Sequence, residues 1–311
     1  MLATATHSRF RRRCRCVICT ALLAVLLHTL VSTPSQADET LAGLRADVRT
    51  PPEDDDDPSS SQKDDRGDSG GSWDDDPYED GSESGSDSDA SFWGLCALAV
   101  TSPFWGPPKL MMDDYSRLGY FSHYPYRYDV GYMLIDPSEA FGLAGPCQPQ
   151  PCAIRVRGEV GTGFDDLDWI GGRLLIDTTW RWGIDSDTRY VREDLDAGRD
   201  SLWLGDANVL LRFAQSEFLQ FHTGLGMNYL SDTLGSDFGF NFTYGFDCQP
   251  VRPLVFSAEL DLGTLGHASV VHVRTTAGVV WGPGEAFVGY DLYDIGSTQI
   301  QGLVAGVQIW Y

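Results

Sequence analysis

His272 lies on the polar parity of an alternating stretch, and across the link Gly263 to Ser269 the preceding stretch offers Glu259 and Asp261 on its own polar parity. A carboxylate beside an imidazole is the minimum for general-base work, and His267 sits on the link itself. These four residues are the catalytic candidates, and their chemistry would be lipid or peptide hydrolysis at a rim. They read equally as parts of a charged interior. Ser257 lies toward the other end of its stretch, and no pair of acids elsewhere has diagnostic spacing. The reading adopted is that the chain is not an enzyme, and His222 likewise reads as a hydrogen-bonded interior residue rather than a ligand.

Metal and thiol chemistry have weaker footing. Asp76, Asp80, Gly81 and Asp87 fall at calcium-loop spacing, but Tyr78 stands at a ligand position and Asp87 replaces the closing Glu. Loose condensation of divalent cations is the better reading there, and no specific metal or cofactor is expected. Cys147-Gln-Pro-Gln-Pro-Cys152 is a short loop that a disulfide can close in an oxidising compartment. No histidines accompany it at zinc spacing. Pairing of Cys96 with Cys248 stays open.

The N-terminus places these residues outside the cytoplasm. Arg9, Arg11, Arg12, Arg13 and Arg15 precede the apolar run Val17 to Val31, and Ser35-Gln36-Ala37 reads as a cleavage site, so residues 1–37 are expected to be an export signal. Cys14, Cys16 and Cys19 leave with it. No other stretch is apolar enough for a membrane helix, so any span must be made of strands. The formal net charge is −23, and the signal contributes only basic residues. Residues 38–90 hold 19 acidic and 4 basic residues among Ser, Gly and Pro. Such a segment offers too little apolar surface to offset its ordering entropy and is expected to be disordered, with divalent cations or a basic periplasmic partner as its expected contacts. Strong negative charge argues against nucleic acid.

The dominant pattern, from Tyr126 to Tyr311, is period-2 alternation. Phe238, Phe240, Phe242, Tyr244 and Phe246 alternate with Gly239, Asn241, Thr243, Gly245 and Asp247. Ten segments of this kind are read, a first over 128–136, then one over 153–162, a long one over 173–185, and seven more ending with 300–311. Short and long connections are read as alternating, with long ones at 185–201, 230–237, 263–269 and 294–299. Eight strands is the alternative count.

Stepping back by two from Tyr311 gives Ile309, Val307, Ala305 and Leu303. This tail resembles the terminal signal of bacterial outer-membrane β-barrels, with Tyr where Phe is usual, and residues 126–311 resemble small barrels of that class. The resemblance implies an all-β fold, an antiparallel transmembrane up-and-down β-barrel, located in the outer membrane with both chain ends on the periplasmic side. It implies lipids and the barrel assembly machinery as partners, and it supplies no activity. Residues 91–125, rich in aromatics and Pro, become a lead-in that plugs or caps a mouth.

With the apolar parity facing lipid, the lumen receives Arg155, Arg157, Arg173, Arg181, Arg212 and Arg274 with Asp129, Glu159, Asp177, Asp185, Asp206, Glu259, Asp261 and Asp291. Opposite charges at this density in a narrow bore predict a salt-bridged core rather than a wide channel. Trp182 and Trp203 are expected at the outer rim, and Phe213 and Trp281 at the periplasmic one. The reading is a structural or narrowly passing barrel. Its alternatives are a rim hydrolase, as in barrel proteases and lipid A-modifying enzymes, and a soluble lipocalin-like carrier with the apolar parity inward.

Overall fold

The structure is a computed structural model that describes residues 40–51, 101–116, 118–127, 131–135, 149–164, 167–196 and 198–311. The expected signal, Cys147 and most of the acidic segment lie outside these residues. No helix among those described is long and apolar enough to cross a membrane. Pro52–Gly106 forms a unit of its own, separate from the rest of the chain.

Two short strands, β1 (Tyr120–Phe121) and β2 (Met133–Leu134), pair with each other. Ten antiparallel strands then close into a barrel in chain order: β3 (Cys152–Gly163), β4 (Leu167–Thr178), β5 (Trp182–Leu195), β6 (Gly198–Gln215), β7 (Leu219–Ser231), β8 (Ser236–Val251), β9 (Leu254–Leu265), β10 (Ala268–Trp281), β11 (Gly284–Ile295) and β12 (Thr298–Trp310). The seam joins β12 to β3 from Gly302↔Gly163 to Trp310↔Arg155. Tyr311 finishes it, donating to the Ile154 carbonyl at 2.8 Å and accepting from its amide at 2.7 Å. Closure leaves no unpaired barrel edge.

Ten strands form, though not the ten expected. Of the segment 128–136, Met133–Leu134 pairs with Tyr120–Phe121 outside the barrel, and residues 128–130 and 136 lie outside those described. The missing strand is β5. The single segment read over 173–185 is the end of β4, a hairpin at Thr179-Trp180-Arg181, and the start of β5. That hairpin has none of the usual turn residues, because Arg181 itself adopts φ 70°. Beyond Ile184 the outward positions turn polar, Ser186, Thr188, Tyr190 and Arg192, so the apolar half of the alternation fades and the strand reads as a loop.

The long connections are therefore corrected as well: the strands extend to leave only 232–235, 266–267 and 296–297 between β7 and β8, β9 and β10, and β11 and β12. Antiparallel pairing with β12 also makes β3 run opposite to the direction expected of it. Trp182 starts β5 at the mouth where Tyr311 ends, not at the opposite rim.

At this terminal mouth the lead-in forms a cap. Tyr132 packs between Phe121, at 5.4 Å between centroids, and the edge of Trp310, at 4.6 Å, within a buried cluster with Met133, Val255 and Val280. Asp113 receives both guanidinium nitrogens of Arg181, at 2.6 and 2.8 Å, and the Gln215 amide at 3.0 Å.

A helix fills the far mouth. Helix α1 (Thr40–Arg49) buries Leu41, Leu44 and Val48 completely against Leu202, Leu230, Leu265, Val270, Ile295 and Ile300. Three such side chains contribute about 2 kcal/mol each to docking. Its first-turn amides, Thr40 N and Leu41 N, donate to the Glu193 carboxylate at 2.7 and 3.0 Å, where the helix end favours an anion. Arg45 bridges Asp200 and Asp232, Arg49 bridges Asp232 and Asp237, and Asp47 accepts from the Ser297 amide and the Thr298 hydroxyl.

Residues 40–49 are thus ordered, against the expectation for 38–90. They also sit opposite Trp310, not on its side as the expected placement of both chain ends required. The polarity rule changes here too: inward positions near this mouth are apolar because they face α1.

Two hairpin glycines admit the helix. Gly266 and Gly296 adopt φ 56° and 63°, and a Cβ at Gly266 would stand 2.2 Å from the Val48 carbonyl oxygen. The Gly266→Ala substitution is expected to loosen α1 while leaving the barrel closed, so that trypsin cuts after Arg45 and Arg49 faster than in the parent. Equal cleavage rates would refute this docking geometry.

The docking carboxylates ionise more readily than usual. For Asp232 and Asp47, burial opposes ionisation but is outweighed, by Arg49, Arg45 and loop amides for Asp232 and by Ser297 and Thr298 for Asp47. A depressed docked value means the contribution is fully present above the free carboxylate range, about pH 4, and is lost as pH falls through the docked values. Tryptic protection of Arg45 is therefore expected to survive unchanged at neutral and mildly acidic pH. After brief incubation below about pH 4, the loosened fraction should appear as clipped chain on return to neutrality.

Candidate functional site: the lumen charge network

Inward alternation on every strand stacks charged side chains through the barrel's middle. Nearest the far mouth, His272 lies opposite Asp261 in the β9–β10 register, with its Nδ1 2.7 Å from that carboxylate and its Nε2 3.3 Å from Asp291. Its ring stacks on Tyr293 at 3.8 Å. Thr243 donates to Asp261 at 2.6 Å.

Arg274 forms the next layer. Its three nitrogens reach Asp291 at 2.7 Å, Asp187 at 2.7 Å and Glu159 at 2.9 Å, while Arg189 takes the other oxygen of Asp291 at 2.9 Å. Below it Arg173 joins Asp185 to Glu259, and the His222 Nε2 approaches Glu259 at 3.6 Å. Arg155 then bridges Asp247 at 2.8 Å and Asp177 at 3.4 Å, and Arg212 reaches Asp177 at 3.2 Å.

The network ends on Glu285, which accepts from the Trp310 indole at 2.8 Å and Gln308 at 3.1 Å. Buried charges need partners at this quality because an isolated ion in such surroundings costs several kcal/mol. The void among Arg155, Arg157, Arg173, His222, Asp247 and Glu259 is ≈ 20 Å³, room for about one water.

The candidate residues divide as follows. Arg155, Arg173, Arg212, Arg274, Glu159, Asp177, Glu259, Asp261 and Asp291 meet in this network. Arg157 lies over the Phe287 ring at 4.5 Å and donates to Gln308, and Asp206 accepts from Asn208 at 2.7 Å without an ion pair among the described residues. Arg181 is corrected from the lumen to the terminal-mouth hairpin. His267 stands in the far hairpin, where its amide donates to Val48 at 2.9 Å, apart from His272. Ser257 donates to Asp247 rather than to a histidine.

Cys152, the first residue of β3, is free among the described residues, and its expected disulfide partner Cys147 lies outside them. Leu303, Val307, Ile309 and Tyr311 all face outward. Sequence reasoning missed Asp187 and Arg189, and it set Asp247 and Glu285 on polar parities without counting them in the lumen network. Asp185, Asp187 and Arg189 share one parity, and that charge alternation was the available signal.

The opposite face decides the kind of barrel. Val156, Ile170, Leu174, Leu225, Phe240, Val279, Val288 and Val307 all point outward and exposed, while the middle of the interior is charged and buried. A soluble carrier has the reverse polarity. In fold, the chain resembles bacterial outer-membrane β-barrels.

Among solved structures, similarity is found to the beta domain of the Bordetella autotransporter BrkA, at 9% identity and TM-score 0.32, covering 51% of this chain and 98% of that one. Ail of Yersinia pestis shows 11% identity and TM-score 0.26 over 51% and 96% of the two chains. The KdgM porin shows 13% identity and TM-score 0.23 over 50% and 98%. No protein-family model and no curated protein matches the chain. In this barrel, aromatic side chains gather near both ends of the outer wall: Trp180, Trp182, Trp281 and Tyr311 toward the terminal mouth, and Trp203 and Phe238 toward the far one.

Proposed function

We propose that this chain is an exported outer-membrane protein whose barrel is a closed, structural anchor and not an open pore. The observation that carries the reading is the paired polarity of one sheet: an apolar outer wall with aromatic ends suits lipid, and an ion-paired interior capped at both mouths leaves little free volume. The outward tail Leu303, Val307, Ile309 and Tyr311 is the surface the barrel assembly machinery would engage, and residues 1–37 supply export. Residues 38–90 remain the part suited to divalent cations or a basic partner.

The non-enzymatic reading is supported by burial. His272 is 1% exposed beneath α1, and its ring nitrogens face Asp261 and Asp291, so a substrate has no evident approach to them. His272→Ala and His267→Ala are expected to leave lipid and peptide hydrolysis at background. Activity in the parent that either substitution abolishes would replace this reading with a rim hydrolase.

The direct test is fractionation of the expressed protein, with and without boiling in detergent, followed by planar-bilayer recording. A heat-modifiable band in the outer-membrane fraction and no steady conductance are expected. Soluble recovery without a mobility shift would sink the membrane reading, and stable open-channel steps would sink the closed-barrel reading.

A further inference from the structure

Outside the barrel wall, the chain presents apolar side chains beside its terminal mouth. Residues 107–111 end a helical turn. The Asp113 amide donates to the Pro108 carbonyl at 3.0 Å and the Met112 amide to the Lys109 carbonyl at 3.3 Å, the bonding of a helix end that turns through one left-handed residue. Met112 is that residue, at φ 53°, where glycine is the usual occupant. A side chain held there at a conformational cost points to a contact that repays it. Yet Leu110 and Met112 are each 85% exposed, and Tyr115 is more than half exposed.

The position of this strap is fixed by its polar contacts. Asp113 holds the Arg181 guanidinium through two bonds and accepts from the Gln215 amide, which ties the strap to the β4–β5 hairpin and to the end of β6. The Tyr115 ring centroid lies 4.6 Å from the Arg181 guanidinium carbon, and the Tyr115 hydroxyl donates to the Phe213 carbonyl, at the bulge between Leu211 and Ala214. Phe213 packs with Phe221 and Tyr244 on the outer wall. The strap therefore reaches the outer edge of the rim, next to Trp180 and Trp182, which flank Arg181 in the chain and are exposed as well.

We propose that this strap is a lipid-interface anchor: Leu110, Met112 and Tyr115 enter the headgroup zone of the leaflet that borders the terminal mouth. The proposal rests on the membrane reading above. Lipid is the occupant that the position favours, because the patch continues the ring of Trp180 and Trp182, whose side chains suit the boundary between hydrocarbon and water. Lys109, exposed beside Leu110, fits the same zone, with its stem along the apolar layer and its ammonium among lipid phosphates. In water the same side chains would form an apolar patch with no cover. Anchored in this way, the strap sets the depth of the terminal hairpin and keeps the cap seated over the mouth.

Depth-dependent quenching tests the anchor. An environment-sensitive fluorophore is attached at Met112→Cys, and separately at Leu110→Cys, in a full-length chain whose other cysteines are replaced by Ser. The protein is folded into vesicles of phosphatidylcholine and phosphatidylglycerol that carry a nitroxide either at the headgroup or deep in the acyl chains. Leu225→Cys on the outer wall and Ala46→Cys on the exposed face of α1 are the references. Each labelled chain is first confirmed as folded by its heat-modifiable band. Met112→Cys and Leu110→Cys are expected to be quenched by the headgroup nitroxide several-fold more than Ala46→Cys, and Leu225→Cys by the deep one.

Strap labels quenched no more than Ala46→Cys, with Leu225→Cys quenched at depth, would overturn the anchor and leave the membrane reading standing. Absence of deep quenching at Leu225→Cys would overturn the membrane reading and the anchor with it. Shielding of the strap labels that grows with protein density would assign the patch to a second copy of the chain, and would also overturn the lipid assignment.

Discussion

Replacing Arg274 with Met is expected to lower the barrel's stability by about 3–5 kcal/mol, the cost of leaving buried charges without their partner. Glu159, Asp187 and Asp291 all lie within 2.9 Å of this one guanidinium, which is 2% exposed. Met restores much of the volume but none of the charge, so the loss is electrostatic rather than a cavity effect. Lys is not a rescue, because one ammonium cannot reproduce three directed bonds from a planar fork. The readout is the temperature, or urea concentration, at which the heat-modifiable band disappears. The exposed pair Arg192–Asp168 serves as the comparison, since Arg192→Ala at the surface is expected to cost less than about 1 kcal/mol. Equal midpoints for the two variants would show that the lumen network is wet and not load-sharing.

The second large effect is on the opposite face. Leu225 stands mid-way along β7, pointing outward and 58% exposed. On a water-facing surface Leu225→Arg would change stability by no more than about 0.5 kcal/mol. Facing the middle of a bilayer, the same substitution is expected to cost about 2–4 kcal/mol. The parent and the variant are compared by folding into lipid vesicles across a urea series, alongside Ser231→Arg near the strand end, where the penalty shrinks toward zero. If Leu225→Arg folds as well as Ser231→Arg, the outer wall does not face lipid.

These two substitutions also mark how far the alternation could be read. Phe238 to Phe246 and Ile154 to Val160 show their two faces directly, because one parity is apolar and the other is not. The strand at Trp182–Leu195 is hidden because its outward residues beyond Ile184 are Ser186, Thr188, Tyr190 and Arg192, which interrupt the apolar parity. The hairpin before it was hidden because Arg181 takes a left-handed backbone without being Gly or Asn. Counting a segment at 128–136 in its place kept the even number that closure demands, but assigned it to residues that cap a mouth.

The charged lumen was similarly half legible. Parity identifies which arginines and carboxylates point inward, and Asp291 is the register neighbour of Arg274 on β11, but its other partners, Glu159 and Asp187, come from β3 and β5, far away in the chain. Which strands face one another across a bore depends on closure and stagger, and no local pattern carries that information. Helix α1 shows the same limit. Leu41, Leu44 and Val48 make a short apolar stripe inside an acidic, low-complexity segment, and ten residues alone are too few to hold a helix in water.

Sequence by itself determined the fold class, the polarity of the barrel's two faces and the terminal strand, because period-2 alternation is a local property of a sheet between two solvents. The tertiary structure alone decided which ten strands close, how the ion pairs are shared, and that α1 and the lead-in occupy opposite mouths. Those outcomes depend on contacts between residues distant in the chain, such as Asp47 with Ser297, 250 positions apart, which exist only once the barrel has closed.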